Sequence, residues 1–196
     1  MQIIDWQQFL NSGLPQQGKP SSMTIGIFDG VHRGHQTLIK KVVSHNAEYI
    51  PVIVTFRQNY KTGNNEHITE IHSFEDKLAM FKKLGIQITI VIDFTETFRQ
   101  MPGIEFLDIL LKHGNVGYFA VGNDFRCGNQ LDTDVTVIKK FFASFNITCE
   151  VIPEVMECGL PVSSSRIRNA ITAGDFSTAE KMLGHTLYTK CIRNKN

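Results

Sequence analysis

Five short runs dense in Val and Ile punctuate the chain, at residues 23–28, 50–56, 86–92, 118–121 and 148–152, and each is separated from the next by a longer stretch with helical apolar spacing. Continuous apolar runs of this length mark strands buried on both faces, because crossover helices cover both sides of a parallel sheet. The intervening stretches fit that role. Residues 35–45 place Leu38, Ile39, Val42 and Val43 on one face, and residues 74–84 do the same with Leu78, Phe81 and Leu84. The second of these is preceded by Ser73, with Asp76 three residues on as a capping box. Residues 104–113 and 135–145 complete the set. Strand, helix and strand in this order predict an α/β fold: a doubly wound, Rossmann-like parallel sheet of about five strands with helices on both faces. Ligands bind such a sheet at the carboxyl ends of its strands.

After the last apolar run the pattern changes to two short helices. One spans 165–173 and is closed by Gly174; the other is opened by Ser177 with Glu180 three residues on. Residues 57–69 are polar, with Gly63, Asn64 and Asn65 together, and read as a mobile loop. No internal repeat or long linker divides the chain. Its 196 residues are 42% hydrophobic, enough for one full-sized core. The 20 Lys+Arg and 19 Asp+Glu leave a formal net charge of +1, which disfavours a nucleic-acid partner. No apolar run is long enough to span a membrane, and Asp5, Gln7 and Gln8 interrupt the first ten residues where a secretory signal would be apolar. A soluble, cytoplasmic protein without a membrane partner is expected. Cys127, Cys149, Cys158 and Cys191 fit no CxxC pattern, so reduced thiols and no protein-bound metal are expected.

Three segments carry chemistry. In the first, Gly26-Ile27-Phe28-Asp29-Gly30-Val31-His32-Arg33-Gly34-His35, a strand ends in an Asp-Gly turn and a helix begins at about Gly34. His32 and His35 then sit on one side of a helix N-terminus, where unpaired amides and the helix dipole attract phosphate and two imidazoles add directed donors. Gly34 has no side chain to keep a flat base off the backbone. Neither a dinucleotide GxGxxG nor a P-loop pattern is present. Spacing alone leaves open a pair of unrelated surface histidines. The second segment, Val162-Ser163-Ser164-Ser165-Arg166-Ile167-Arg168, places Ser164 or Ser165 as N-cap of another helix, with Arg168 one turn on as a fork of donors. Two such helix starts could hold a triphosphate between them; an ordinary serine-capped helix is the alternative. The third, Val121-Gly122-Asn123-Asp124-Phe125-Arg126-Cys127-Gly128, follows a buried strand directly, and Asn123 and Asp124 could meet a ribose or a second substrate there.

Taken in order, the HxGH turn, the VGNDFRCG loop and the VSSSRIR helix start resemble the adenylyltransferase module of prokaryotic FAD synthetases, a branch of the nucleotidyltransferase superfamily. The resemblance also takes in Glu75-Asp76-Lys77, the stretch from Asp93 through Phe98 to Phe106, and Gly174-Asp175. It implies transfer of AMP from ATP, with Mg²⁺, onto FMN as substrate, giving FAD and pyrophosphate. It assigns ATP binding to Gly26, Phe28, Asp29, His32, Gly34, His35, Ser164, Ser165 and Arg168, with His32, His35 and Arg168 as the catalytic groups. Flavin contacts fall on Thr55, Asn123, Asp124 and Phe125. It implies residues 1–185 as the adenylyltransferase domain and 186–196 as a short tail without a riboflavin kinase domain. Two departures stand out: Thr55-Phe56 is followed by Arg57-Gln58-Asn59-Tyr60 where the family reads PHP, and Cys127 replaces an aromatic residue.

The acceptor's chemistry sets the catalytic requirement. A phosphate monoester has a second pKa near 6, so FMN already offers an ionised oxygen and no general base is needed. Positioning and charge stabilisation remain. A different phosphate acceptor, such as a phosphopantetheine or a nicotinamide nucleotide, and a non-catalytic flavin- or nucleotide-binding regulatory module both stay open at this stage.

Overall fold

In the computed structural model, which describes residues 1–15, 18–57 and 70–187, the apolar runs become strands of one parallel sheet. The chain runs β1 (Gln2–Asp5), α1 (Trp6–Ser12), β2 (Ser21–Ile25), a 3₁₀ turn (Asp29–Val31), α2 (Arg33–Val43), β3 (Ile50–Phe56), α3 (Phe74–Leu84) and β4 (Ile88–Ile92). It continues through α4 (Glu96–Arg99), α5 (Gly103–Gly114), β5 (Val116–Gly122), β6 (Arg126–Cys127), β7 (Thr133–Asp134), α6 (Val135–Ala143) and β8 (Thr148–Ile152). A hairpin of β9 (Met156–Glu157) and β10 (Leu160–Pro161) then leads into α7 (Ser164–Thr172) and α8 (Phe176–Leu183).

The sheet order is β1-β4-β3-β2-β5-β8, every neighbouring pair parallel. From β2 the chain winds outward through β3 and β4, then returns to the other side of β2 for β5 and β8. The reversal opens a crevice between the carboxyl ends of β2 and β5, where α/β sheets of this kind receive their ligands. Side chains alternate across the sheet with period two. Val52 and Val54 of β3, with Phe119 and Val121 of β5, pack beneath α1, α5 and α6; Ile53, Tyr118 and Ala120 pack beneath α2 and α3. A third, smaller core, formed by Val162, Ile167, Ala179, Met182, Leu183 and Leu187 with Ile71, sits under α7 and α8.

Several elements differ from expectation. A sixth strand, β1, pairs with β4 at the sheet edge, and among its residues only Ile4 is buried, so it lacks the apolar density of an inner strand. The run at 23–28 leaves the sheet at Ile25, after which Gly26 N makes a last hydrogen bond to Val54 O at 3.1 Å. Half of the Ser73 box forms: its hydroxyl accepts from Asp76 N at 3.1 Å, while the Asp76 carboxylate takes the Ser73 hydroxyl at 2.7 Å in place of the Ser73 amide. At α8, however, Asp175 rather than Ser177 is the cap, accepting from Thr178 N at 3.0 Å, because the carboxylate precedes the first helical residue and Ser177 lies inside the turn. Cys127, Cys149 and Cys158 are free thiols. Most of the loop read at 57–69, Cys191 and the tail beyond residue 187 lie outside the described residues.

Candidate active site

Beyond β2 the backbone makes a tight descent into α2. Phe28 (φ 55), Gly30 (φ 77) and Val31 (φ 40) all occupy the left-handed region, which for Phe and for β-branched Val carries a strain of about 1–3 kcal/mol each. At Gly30 a side chain is excluded on two counts, since a Cβ would also lie 2.9 Å from Ile71 Cδ1. The rest of the fold over-determines this turn by taking its carbonyls. Ile27 O accepts from Thr55 Oγ1 (3.3 Å) and Lys77 Nζ (3.1 Å), and Phe28 O accepts from Val31 N (3.1 Å). Asp29 O accepts from Ser164 Oγ (2.9 Å), Gly30 O meets His185 Nε2 (3.1 Å), and Val31 O accepts from Gln36 Nε2 (2.9 Å). With the carbonyls turned into the protein, the turn and the start of α2 present amides toward the crevice. Among the described residues the first-turn amides of Arg33 and Gly34 meet no acceptor.

His32 is the N-cap of α2. Its Nδ1 accepts from His35 N at 3.4 Å, which leaves Nε2–H as the ring's donor, and the two imidazoles stack with centroids 3.5 Å apart. Burial lowers the His32 pKa to about 4. Burial also holds His35 well below the usual imidazole value, with the charges of His32 and Lys77 adding to the effect. Both rings are therefore neutral donors at neutral pH rather than cations. The His35 ring is wedged edge-on against buried Phe28 (5.2 Å between centroids), and a Cβ on Gly34 would press on the His32 ring at 3.2 Å.

The second helix start reaches the same turn. Ser163, not Ser164 or Ser165, caps α7 by accepting from Arg166 N at 3.3 Å; three consecutive serines concealed the boundary. Ser164 is thereby released to bind Asp29 O, and Ser165 Oγ accepts from Arg168 Nη2 at 3.3 Å. The other arm of the Arg168 fork, Nη1, pairs with Asp29 Oδ2 at 2.5 Å. Asp29 is buried, with Oδ1 accepting from Ile71 N at 2.9 Å. Burial raises its pKa, opposed by the Ile71 amide and by the Arg168 and Lys77 charges.

A charge pattern separates these two helix starts from the rest. Among the described residues, α1, α6 and α8 have aspartate as N-cap, and α3, α4 and α5 carry Asp or Glu in the first turn. α2 and α7 have neither. Neither helix brings a carboxylate of its own to its positive end, and the carboxylates that come near, Asp29 and Glu157, are paired with Arg168 and Arg33, an arrangement that suits a polyanion.

On the acceptor side the sequence-assigned residues divide. Asn123 and Asp124 are exposed directly after β5, on the far lip of the crevice, with Asn123 N bonded to Ile152 O at 3.1 Å. Thr55 is fully buried, its hydroxyl spent on Ile27 O, and Phe125 packs into the core beneath α5 and α6. The residues that sequence reasoning missed are the supports of the turn: Lys77, Gln36 and His185. Lys77 carried a visible signal, a lysine in line with Phe74 and Phe81 on the apolar face of α3. Half-buried Phe56, Phe94 and Phe98, mutually within 5.6–5.9 Å, line the carboxyl edge beside β3 and β4. The Cys127 thiol, pushed up to about 12 by burial and then by Asp132, is no nucleophile at neutral pH. Among the described residues no three His, Cys, Asp or Glu side chains gather as a metal site, and no helix is long and apolar enough to cross a membrane.

A doubly wound parallel sheet with stacked HxGH histidines at the helix start beside its switch point defines the nucleotidyltransferase class of α/β protein. Within that class the chain belongs to the FAD synthetase family, whose model matches residues 14–166. It is 28% identical over 179 residues to the bifunctional riboflavin kinase/FMN adenylyltransferase of Escherichia coli (strain K12), covering 89% of this chain and 56% of that protein. It is also 28% identical over 180 residues to a FAD synthetase of Listeria monocytogenes, covering 88% of this chain and 72% of that one. The chain thus spans little more than half the length of the first of these relatives. A crystal structure described as a macrolide-efflux protein from Streptococcus pneumoniae superposes with a TM-score of 0.82 at 24% identity, over 95% of this chain and 61% of that one. At that identity the likeness is one of fold.

Proposed function

We propose that the protein transfers AMP from MgATP to FMN, giving FAD and pyrophosphate, with residues 1–185 as the unit that carries the reaction. The observation that carries this reading is the convergence of α2 and α7, whose own caps and first turns hold no carboxylate, on a turn whose carbonyls from Ile27 to Val31 are all engaged. Membership of the FAD synthetase family supports it independently.

In this reading the triphosphate lies against the Arg33 and Gly34 amides and the His32 Nε2–H, with His35 beside it. A phosphate oxygen of FMN, ionised at neutral pH, attacks the α-phosphorus. A new phosphorus–oxygen bond forms as the bond from the α-phosphorus to the α,β-bridging oxygen breaks, and pyrophosphate leaves with that electron pair. Neutral imidazoles suit this step, since they donate to growing negative charge without first having to be desolvated as cations. Arg168, braced on Asp29 and Ser165, brings its charge to the same turn; Gly26 and Gly34 let the Phe28 and His32 rings lie close against the backbone beside the nucleotide, and Phe28 and Asp29 shape the turn. Asn123 and Asp124 are the exposed candidates for the flavin nucleotide, and Thr55 and Phe125 support that side from within. Mg²⁺ enters with ATP as substrate, held by phosphate oxygens, where it neutralises charge on the leaving group.

Incubation with MgATP and a panel of phosphate acceptors, followed by pyrophosphate release and chromatography of the product, tests the proposal. FAD formation from FMN is expected. Release with a non-flavin acceptor and none with FMN would overturn it.

A further inference from the structure

Lys77 is the buried charge that the proposed reaction does not consume. It lies on α3 with 6% of its surface exposed, its ammonium donating to Phe56 O (2.9 Å) and Ile27 O (3.1 Å) and standing 5.1 Å over the Phe74 ring. A leucine or methionine would cover the same apolar face without the desolvation that a buried ammonium incurs. What sets Lys77 apart is the location of its acceptors. Phe56 ends β3, and Ile27 stands just past the end of β2, so the ammonium ties together the carboxyl ends of two adjacent strands at the lip of the crevice. Ile27 O takes a second donor from Thr55 Oγ1 at 3.3 Å. The peptide plane that holds this carbonyl also carries Phe28 N, so pinning its orientation restricts the φ with which Phe28 can enter the turn. Phe28 is where the backbone first enters the left-handed region, and its ring is the wedge against His35.

We propose that Lys77 is a positioning residue for the phosphate-facing turn: with Thr55 it pins the Ile27 carbonyl, so that Phe28 stays in its strained conformation and the His32–His35 stack stays at the crevice. The role rests on the function proposed above and adds to it a support outside the HxGH segment. Lys77 faces Asp29 and Glu70, which favour its charge, and His35, whose protonation it opposes. Burial lowers its pKa to about 8, which leaves the ammonium mostly protonated at neutral pH.

The test compares wild type with Lys77→Met, Lys77→Arg, Thr55→Val and the Lys77→Met/Thr55→Val double variant. The readouts are thermal unfolding, calorimetry with MgATP alone, steady-state kinetics and NMR titration of the imidazoles. Folded Lys77→Met is expected to lose about 30-fold or more in kcat while the KM for FMN moves less than about threefold. The double variant should lose less than the product of the single losses, because both donors act on one carbonyl. Wild-type kcat and MgATP affinity in folded Lys77→Met, or losses that simply multiply, would overturn the proposal. If Lys77→Met does not fold, Lys77→Arg decides. A planar guanidinium keeps the charge but cannot reproduce the compact ammonium, so the same kinetic split is expected, and wild-type kinetics would overturn the role. If neither folds, Lys77 is a stability residue and the proposal fails. Should the wild type bind MgATP yet make no FAD, the functional reading fails and the positioning role is read from MgATP affinity alone. Should it bind neither substrate, the imidazole spectrum decides: the ring-proton shifts produced by the His32–His35 stack are expected to change in Lys77→Met, and an unchanged stack would overturn the role.

Discussion

Helices α2 and α3 lie side by side on one face of the sheet, yet they begin in opposite ways. α3 starts with a serine hydroxyl and an aspartate bonded to each other, and Glu75 and Asp76 oppose the helix dipole. α2 starts with an imidazole at 3.4 Å and no carboxylate in its first turn, after a strained backbone. The first arrangement satisfies the helix by itself. The second leaves donors unmet and ionisable groups desolvated, a state that proteins maintain where a ligand completes it. The contrast separates a helix start that closes on itself from one that keeps donors for the anion proposed above, although both stand behind strands of the same sheet.

The largest effect expected is acid lability, to which a desolvated histidine at each helix start contributes, His32 as the cap of α2 and His72 just before the cap of α3. His32 and His72 are both lowered to about 4, His32 by burial and His72 by burial and then by the charge of His185. Against an unfolded value near 6.5, the unfolded chain binds more protons throughout that interval, so stability is retained above pH 6.5 and falls as pH drops toward 4, by roughly 3 kcal/mol per histidine. Urea unfolding at stepped pH checks this. A flat profile between pH 6.5 and 4 would mean that the rings are not desolvated as described.

Giving α2 the cap of α3 is the next largest test. His32→Ser should keep the helix start within about 1 kcal/mol, flatten part of that acid slope, and lower kcat by about 10². Retained kcat with lost stability would instead make His32 a structural cap. Arg168→Lys keeps the charge but gives up one arm of the fork between Asp29 and Ser165, so the KM for ATP should rise about tenfold while FMN affinity changes much less. Isothermal titration with each ligand separates the two. The smallest effect belongs to α3: Ser73→Ala should cost about 1 kcal/mol of stability with kcat unchanged. A drop in kcat there would erase the distinction between the two helix starts.

The inner strands were legible because strands buried on both faces must read as Val and Ile runs, and Ile50–Phe56 and Ile88–Ile92 stand where the pattern puts them. β1 was not, since an edge strand buries one residue in four positions and carries no such run. The HxGH turn was legible as a local pattern. Its supports were less so: His185 meets the turn from 155 residues away with no spacing rule to link them, and Ser164, named for the site, gave no sign that its hydroxyl is bonded to Asp29 O, 135 residues away. Thr55 illustrates the same limit. The resemblance assigned it a flavin contact, and only the packing of β3 beside the end of β2 shows its hydroxyl turned inward.

The small third core has a consequence for how the molecule breathes. α7 and α8 rest on few buried apolar residues of their own and are tied to the main body largely by polar links to the turn: Ser164 to Asp29, Arg168 to Asp29, His185 to Gly30 and Gln36 to Leu183. A unit with so little apolar burial is the natural first segment to open, well below the global unfolding free energy. Because its ties run through the turn proposed to face the triphosphate, the frequency of that opening becomes a measure of how intact the turn is. Amide exchange in α7 and α8 should therefore slow when the crevice is occupied, while the inner strands, protected only by global unfolding, slow no more than binding itself requires. Nucleotide occupancy and local order would then be a single thermodynamic quantity, read at the far end of the chain.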